Sequence, residues 1–376
     1  MLYIIMDGYG PGTASMNRIL GYLKRLSENN IDTTMVFIYP NENRDVLEDN
    51  LAHITYRYLW KEYYYSSVKV IEYLLRKIYP LRFKRCLKPG DKVYIYNCAE
   101  FQHYVMGVKG VQYYHERTEH PLAISQGKGN PLTRFPMSKY FHDCAIIDGV
   151  FVISTCLRDF YISKGVNEKK VHIINMTVDT SRFNGLIKHN KERYIAYCGV
   201  IYNNKDGVDL LIKSFAIISS AYPDVKLYII GPVPEKTDNN AIFELIKSLK
   251  IENKVVLKGK VSALEMPQIL KDAEICALNR PDGLRARAGF PTKLGEYLLS
   301  ENPVVVTKVG DIPMFLEDGA SALIAEPDKP DSFAAKLDWA LSHVDEAKEI
   351  GKRGALVARS AFNSTTETDK IIKAMF

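Results

Sequence analysis

Apolar residues along this chain fall into short continuous runs, separated by stretches in which they recur every three or four positions. In the first half the runs LYIIM, TTMVFIYP, KVYIYNC, GVQYYH and GVFVIS predict strands, and segments such as MNRILGYLKRL between them have helical spacing. The second half repeats the alternation with YIAYCGV, KLYIIG, KVVLKG, EICALN, NPVVVT and SALIA. Continuous apolar strands joined by helices predict parallel sheets covered on both faces, an α/β class of doubly wound domains. Two such sheets fit 376 residues. The polar stretch GLIKHNKER, residues 185 to 193, predicts the boundary: 1–188 forms the first domain, 189–358 the second, and 359–376 a terminal helix packing back on the first. No repeat of solenoid period and no low-complexity tract is visible.

Composition adds limits. A chain with 47% hydrophobic and 25% charged residues is globular. The opening MLYIIMDGYG stops its apolar run at Asp7, and no stretch approaches the roughly 18–20 apolar residues that cross a bilayer, so a buried first strand without a signal peptide is expected. Six cysteines without a CxxC pair argue against a zinc site or a disulfide framework and predict a reduced, cytoplasmic setting. A net charge of +6 does not require nucleic acid. From Arg57 to Lys92, however, the chain is rich in lysine, arginine and tyrosine. A basic face carrying Trp60 suits peripheral contact with an anionic membrane; equally, it is a solvated face whose tyrosines pack on the domain.

Ligands of open parallel sheets bind outside the carboxyl ends of the strands. Four loops there carry unusual chemistry. In DGYGPGTASMNR, residues 7 to 18, Gly8, Gly10 and Gly12 allow close backbone approach to an anion before a helix; the same glycines serve a tight turn capped by Thr13 or Ser15. In CGVIYNNKDGVDLLIKSF, residues 198 to 215, Gly199 ends a strand and Lys205 stands beside a helix that Asp206 or Gly207 opens. A lysine at the positive end of a helix dipole is resolved by a bound phosphate, or by solvent. In ARAGFPTKLGEYLLSENPVVVTKVGD, residues 286 to 311, Pro291 suits a first helical turn and the amides of Gly289 and Phe290 can line a site. Lys293 there suits a diphosphate oxygen and Glu296 the two hydroxyls of a ribose; the pair is otherwise a surface ion pair. In VQYYHERTEHP, residues 111 to 121, His115 follows a strand and can exchange a proton with a substrate, or make a structural hydrogen bond.

Together these segments resemble a known family. GFPTKLGEYLLSENPVVVTKVGDIPMFLEDGASALI is similar to the P-(S/T)-K-x-x-E-Y signature, followed by a turn and P-V-V, of family 4 glycosyltransferases. CGVIYNNKDGVDLL resembles that family's glycine loop, and VFVISTCLRDFYISKGVNEKKVHIINMTVDTSRF its approach to the linker. The resemblance covers nearly the whole chain and implies the GT-B fold, two Rossmann-like domains facing each other across a cleft.

It further implies that Lys205 and Lys293 face the diphosphate of a nucleotide-sugar donor, Glu296 holds its ribose, the amides of Gly289 and Phe290 sit near the sugar, Gly199 is donor-binding, and Gly12 approaches the phosphates from the other domain. His115 matches the histidine that contacts the transferred sugar. Transfer to a glycan or lipid-linked acceptor with retention, in bacterial surface-polysaccharide assembly, would then need no metal, and no D-x-D pair occurs. Two departures stand out: Ala288 replaces a glutamate of many relatives, where Arg285 or Arg287 can compensate, and Val200 replaces their arginine. A nucleotide-sugar 2-epimerase of the same fold, or an idle nucleotide-binding scaffold, are the alternatives.

Overall fold

The computed structural model describes residues 1–8, 10, 12–39, 50–60, 69–124, 135–189, 192–199, 201, 206–232 and 238–376. They form two compact units, Met1–Asn175 with Ser364–Phe376, and Met176–Asn363.

The first unit holds the strands β1 (Leu2–Met6), β2 (Thr33–Phe37), β3 (Ile54–Tyr58), β4 (Lys92–Tyr96), β5 (Gln112–Arg117), β6 (Gly149–Val152) and β7 (Val171–Ile173). All pair in parallel in the order β3-β2-β1-β4-β5-β6-β7. The helix Ala14–Glu28 starts where Thr13 accepts the Met16 N–H at 3.2 Å, so Thr13 is the cap. Its buried residues Met16, Ile19, Tyr22, Leu23 and Leu26 recur at helical spacing and pack on β1 and β2 with Ile371 and Met375 of the last helix, Ser364–Met375. The strands β3 and β7 are additions to the sequence reading. In β3, ITYRY, no residue is fully buried, and β7 has three residues, so neither presents the long apolar run that betrays a central strand.

The second unit holds β8 (Arg193–Cys198), β9 (Val225–Ile230), β10 (Val255–Gly259), β11 (Ile275–Leu278), β12 (Val304–Thr307) and β13 (Leu323–Ala325), in the order β10-β9-β8-β11-β12-β13. The chain runs outward from β8 to β10, then returns to place β11 on the other flank of β8. The switch point therefore lies between β8 and β11. Both β11 and β12 are buried throughout, as a sheet covered on two faces requires.

The units divide at Asn175/Met176 and Asn363/Ser364, upstream of the expected 188/189 boundary and downstream of the expected 358/359 one. The reason lies in packing that polarity does not report. Val178 donates to the Phe362 carbonyl at 2.8 Å, a Cβ on Gly295 would lie 2.9 Å from Met176 Cε, and Lys188 donates to the Ala273 carbonyl at 2.9 Å. Phe362 is itself buried against Phe290 and Phe315. Residues 176–188 and the helix Val344–Ala361 accordingly belong to the second unit. Among the described residues no helix is long and apolar enough to cross a membrane.

Candidate active site

At the carboxyl end of β8 the backbone turns through Gly199, at φ +157°, and the helix Val208–Ile218 starts behind Gly207, at φ +60°. A Cβ at Gly207 would strike the Asn279 carbonyl, so this helix start is pressed onto the exit of β11. Loops from both sides of the switch point thus converge. Into this point projects Lys293, the first residue of the helix Lys293–Leu299.

Lys293 Nζ lies 2.5 Å from Asp206 Oδ2 and 3.2 Å from the Tyr197 hydroxyl, which donates to the same carboxylate oxygen at 3.0 Å. Arg280 Nε lies 3.8 Å from Asp206 Oδ1. Asp206 and Arg280 are 4% and 3% exposed, so these charges interact where water screens poorly. Burial by itself raises the Asp206 carboxyl, but Lys293 and Arg280, with the Tyr197 hydroxyl, outweigh it and hold the group below its ordinary value. Burial, reinforced by the Asp206 charge, pushes the Tyr197 phenol upward, so it stays protonated and keeps donating. Two cations against one carboxylate leave this cluster net positive. Next to it, the Tyr297 hydroxyl accepts the Cys198 N–H at 2.6 Å and donates to the Cys198 carbonyl at 3.2 Å, fastening the Lys293 helix to the end of β8.

Glu296, one turn beyond Lys293, is partly exposed and pairs with Arg182, whose other amino group donates to the Ala263 carbonyl at 2.5 Å. Its carboxylate is therefore held in place rather than freely rotating. A Cβ on Gly199 would collide with Lys293 Nζ. Gly199→Ala is expected to cost about 1–3 kcal/mol through backbone strain and a displaced lysine; a chemical denaturation midpoint matching wild type would contradict the crowding.

Other sequence expectations fare differently. Lys205 and Val200 lie outside the described residues. Gly12 adopts φ +73° with open space where a Cβ would stand, at the carboxyl side of β1. The Gly289 N–H is committed to the Arg285 carbonyl at 3.1 Å, and Phe290 is buried against Phe315 and Phe362, so Gly289 offers no free amide. Arg287 forks onto Asp282 with two contacts of 2.8 Å and is not at hand to replace the missing glutamate at Ala288.

His115 is fully buried, its Nε2 2.9 Å from the Tyr140 hydroxyl beneath the helix Met137–Ile146. Burial, with a smaller contribution from Arg117, lowers its pKa to about 3. The strand continues two residues past it, so the side chain that the sequence places at a strand end lies inside the first unit. Its neighbour Glu116 is also buried and belongs to an ion pair with Arg18.

Asp206, Tyr197 and Arg280 were not read from the sequence as site residues. Asp206 stood out only as a helix opener, although a lone carboxylate between a glycine loop and a helix start is the signal that could have found it.

Residues 179–357 match the model of the family glycosyl transferases group 1. Over 219 residues, 54% of this chain, the sequence is 26% identical to mannosylfructose-phosphate synthase of Agrobacterium fabrum, and the match spans 46% of that protein's length. The whole chain superimposes on 98% of the sucrose-phosphate synthase of Thermosynechococcus elongatus with a TM-score of 0.78 at 14% identity. It superimposes likewise on 98% of Anabaena Alr3699/HepE, crystallised with UDP-glucose, with a TM-score of 0.73 at 14% identity. Both are matches of fold. Residues 179–357 are therefore similar to the glycosyl transferases group 1, and the chain as a whole has the GT-B fold of its structural neighbours.

Proposed function

We propose that this protein transfers a sugar from a nucleotide-diphosphate sugar, a uridine nucleotide in the first instance, to a glycan or lipid-linked acceptor with retention of anomeric configuration. The observation that carries the reading is the Lys293, Asp206, Tyr197 and Arg280 cluster at the switch point of the second unit, net positive and preorganised. In front-face transfer the bond from the anomeric carbon to the diphosphate oxygen breaks, and a bond to the acceptor oxygen forms on the same face. The acceptor's proton passes to the departing phosphate oxygen.

Negative charge therefore builds on the diphosphate, and a lysine held by Asp206 and Tyr197 meets it without reorganising. Lys205 joins it in this reading, and we assign no metal to the site. The UDP-glucose held by the Anabaena relative supports the choice of nucleotide. The reaction belongs in the cytoplasm, on the inner side of the membrane, in the assembly of bacterial surface polysaccharide.

Glu296 receives the two ribose hydroxyls, its carboxylate already oriented by Arg182. Glu296→Ala is expected to weaken donor binding by roughly 1.5–3 kcal/mol, the worth of hydrogen bonds to a charged acceptor. Calorimetric titration with UDP and UDP-sugars in the presence of EDTA checks this. Wild-type affinity in the variant would remove Glu296 from the donor site, and no binding by the parent protein would remove the donor reading itself.

A further inference from the structure

Beyond that site, the crossover helix Lys69–Lys84, which joins β3 to β4, has two faces that its sequence does not separate. The inner face is aromatic. Phe83 is buried, with its ring 5.3 Å edge-on from Tyr3 and 5.9 Å from Phe101, and Tyr79 stacks at 4.8 Å on Trp60. Trp60, which the sequence offered as a membrane-facing residue, is itself 2% exposed and forms part of this packing. In this packing Trp60 presents almost no surface of its own.

The outer face is aliphatic. Leu74, Ile78 and Leu81 are 50%, 41% and 45% exposed. Their spacing of four and then three residues puts them in one row along the helix. Cationic residues flank the row: Lys77 falls on one shoulder and Arg82 on the other, and Arg85 and Lys88 follow past the helix end, whereas Lys84 turns inward and donates to the Met106 carbonyl. Residues 69–88 carry seven lysines and arginines against the single acid Glu72. Residues 61–68, the most tyrosine-rich part of the basic stretch, lie outside the described residues.

We propose that this outer face is a docking surface for an anionic lipid bilayer, with Leu74, Ile78 and Leu81 entering the boundary between headgroups and acyl chains. The flanking cations then meet the phosphates. Two features select this occupant. An aliphatic row with basic shoulders is the pattern of a helix lying in a membrane interface, whereas nucleic acid would use the charges and leave the row in water. A second copy of the chain would bring like charges together, which opposes self-association. The inference rests on the proposed transfer in that a lipid-linked acceptor presents its reacting end at such a surface.

The test is sedimentation of the full chain with phosphatidylcholine vesicles, with or without about 30% phosphatidylglycerol, at about 50 and about 500 mM salt. The parent protein is expected to sediment with the anionic vesicles at low salt and to be released at high salt. Leu74→Ser/Ile78→Ser/Leu81→Ser is expected to lose roughly tenfold in partitioning, and Arg82→Ala/Arg85→Ala to lose most of its salt-sensitive part. Thermal unfolding and UDP titration of each variant are expected to match the parent, because these side chains face outward.

A serine variant that partitions like the parent would overturn the proposal. So would a parent that binds UDP yet stays in the supernatant at low salt, or a parent dimer that the serine variant abolishes without vesicle binding. Vesicle capture without UDP binding supports the surface and defeats the donor reading instead.

Discussion

Replacing Lys293 by alanine is expected to lower kcat by about 100- to 1,000-fold, the loss of about 2.7–4 kcal/mol that follows removal of one preorganised group from developing charge. The size of the effect follows from the surroundings of Lys293. It is held 2.5 Å from Asp206 and 3.2 Å from Tyr197, at a switch point that also carries Arg280. The substitution also leaves Asp206 buried with a weaker counter-charge. Arg280 and the Tyr197 hydroxyl remain, so the stability loss is expected at about 1–3 kcal/mol rather than the full cost of an orphaned charge. The pH dependence has a definite sign. Asp206 is held below its ordinary value of 3.8 in the folded protein, so its contribution is complete above that value and lost as pH falls through the folded one. Without Lys293 the folded value rises, and acid unfolding is expected to begin at a higher pH than in the parent. Turnover with a UDP-sugar and urea unfolding at neutral and acid pH separate the two effects. A kcat within twofold of wild type, with the fold intact, would take Lys293 out of the reaction.

The limits of sequence reading show in this same site. Lys293 and Glu296 are visible because they stand in one short motif, whereas the partner that orients Lys293 lies 87 residues away across the sheet. Tyr197 sits within an apolar strand and reads as core, although its hydroxyl is what bridges Lys293 and Asp206. His115 lies deeper than a residue at a strand end is expected to lie, and the cause is strand parity. Since β5 runs on to Arg117, alternation turns His115 beneath the helix Met137–Ile146 and Glu116 toward the opposite layer. Central strands such as β11 and β12 are legible because burial on two faces demands a continuous apolar run. The edge strand β3 is subject to no such demand. The helix Lys69–Lys84 shows the complementary problem: apolar residues occur on both faces, and only the packing of Phe83 shows which one is inside.

Glu116→Ala is the change expected to cost the first unit most, about 3–5 kcal/mol of a stability that is typically 5–15 kcal/mol. Arg18, 3% exposed, donates from Nε to Glu116 Oε1 at 2.6 Å and from its amino groups to the carbonyls of Asn175 at 2.6 Å and Ile174 at 2.9 Å. Tyr22 donates to Glu116 Oε1 at 3.1 Å, and Tyr94 donates to Oε2. Burial alone would lower the Arg18 pKa, but Glu116 outweighs it, and a guanidinium does not shed its proton in a protein. Removal of the carboxylate therefore leaves a charge that can neither neutralise nor reach water. The Arg25 and Asp369 pair is a control of similar geometry, with contacts of 2.7 and 3.0 Å but side chains 29% and 44% exposed. Asp369→Ala is expected to cost only about 0.2–1 kcal/mol, because water screens the pair and solvates what remains. Arg18→Met/Glu116→Leu, which removes both charges, is expected to recover much of the single-variant loss. The two tryptophans lie one in each unit, so a Trp339→Phe background leaves Trp60 to report urea unfolding of the first unit. A loss below about 1 kcal/mol for Glu116→Ala would mean that the site relaxes to admit water. Because Asn175 also gives its N–H to Glu367 at 2.8 Å, such relaxation would have to spread to the residue at which the chain leaves the first unit and to the helix that returns to it.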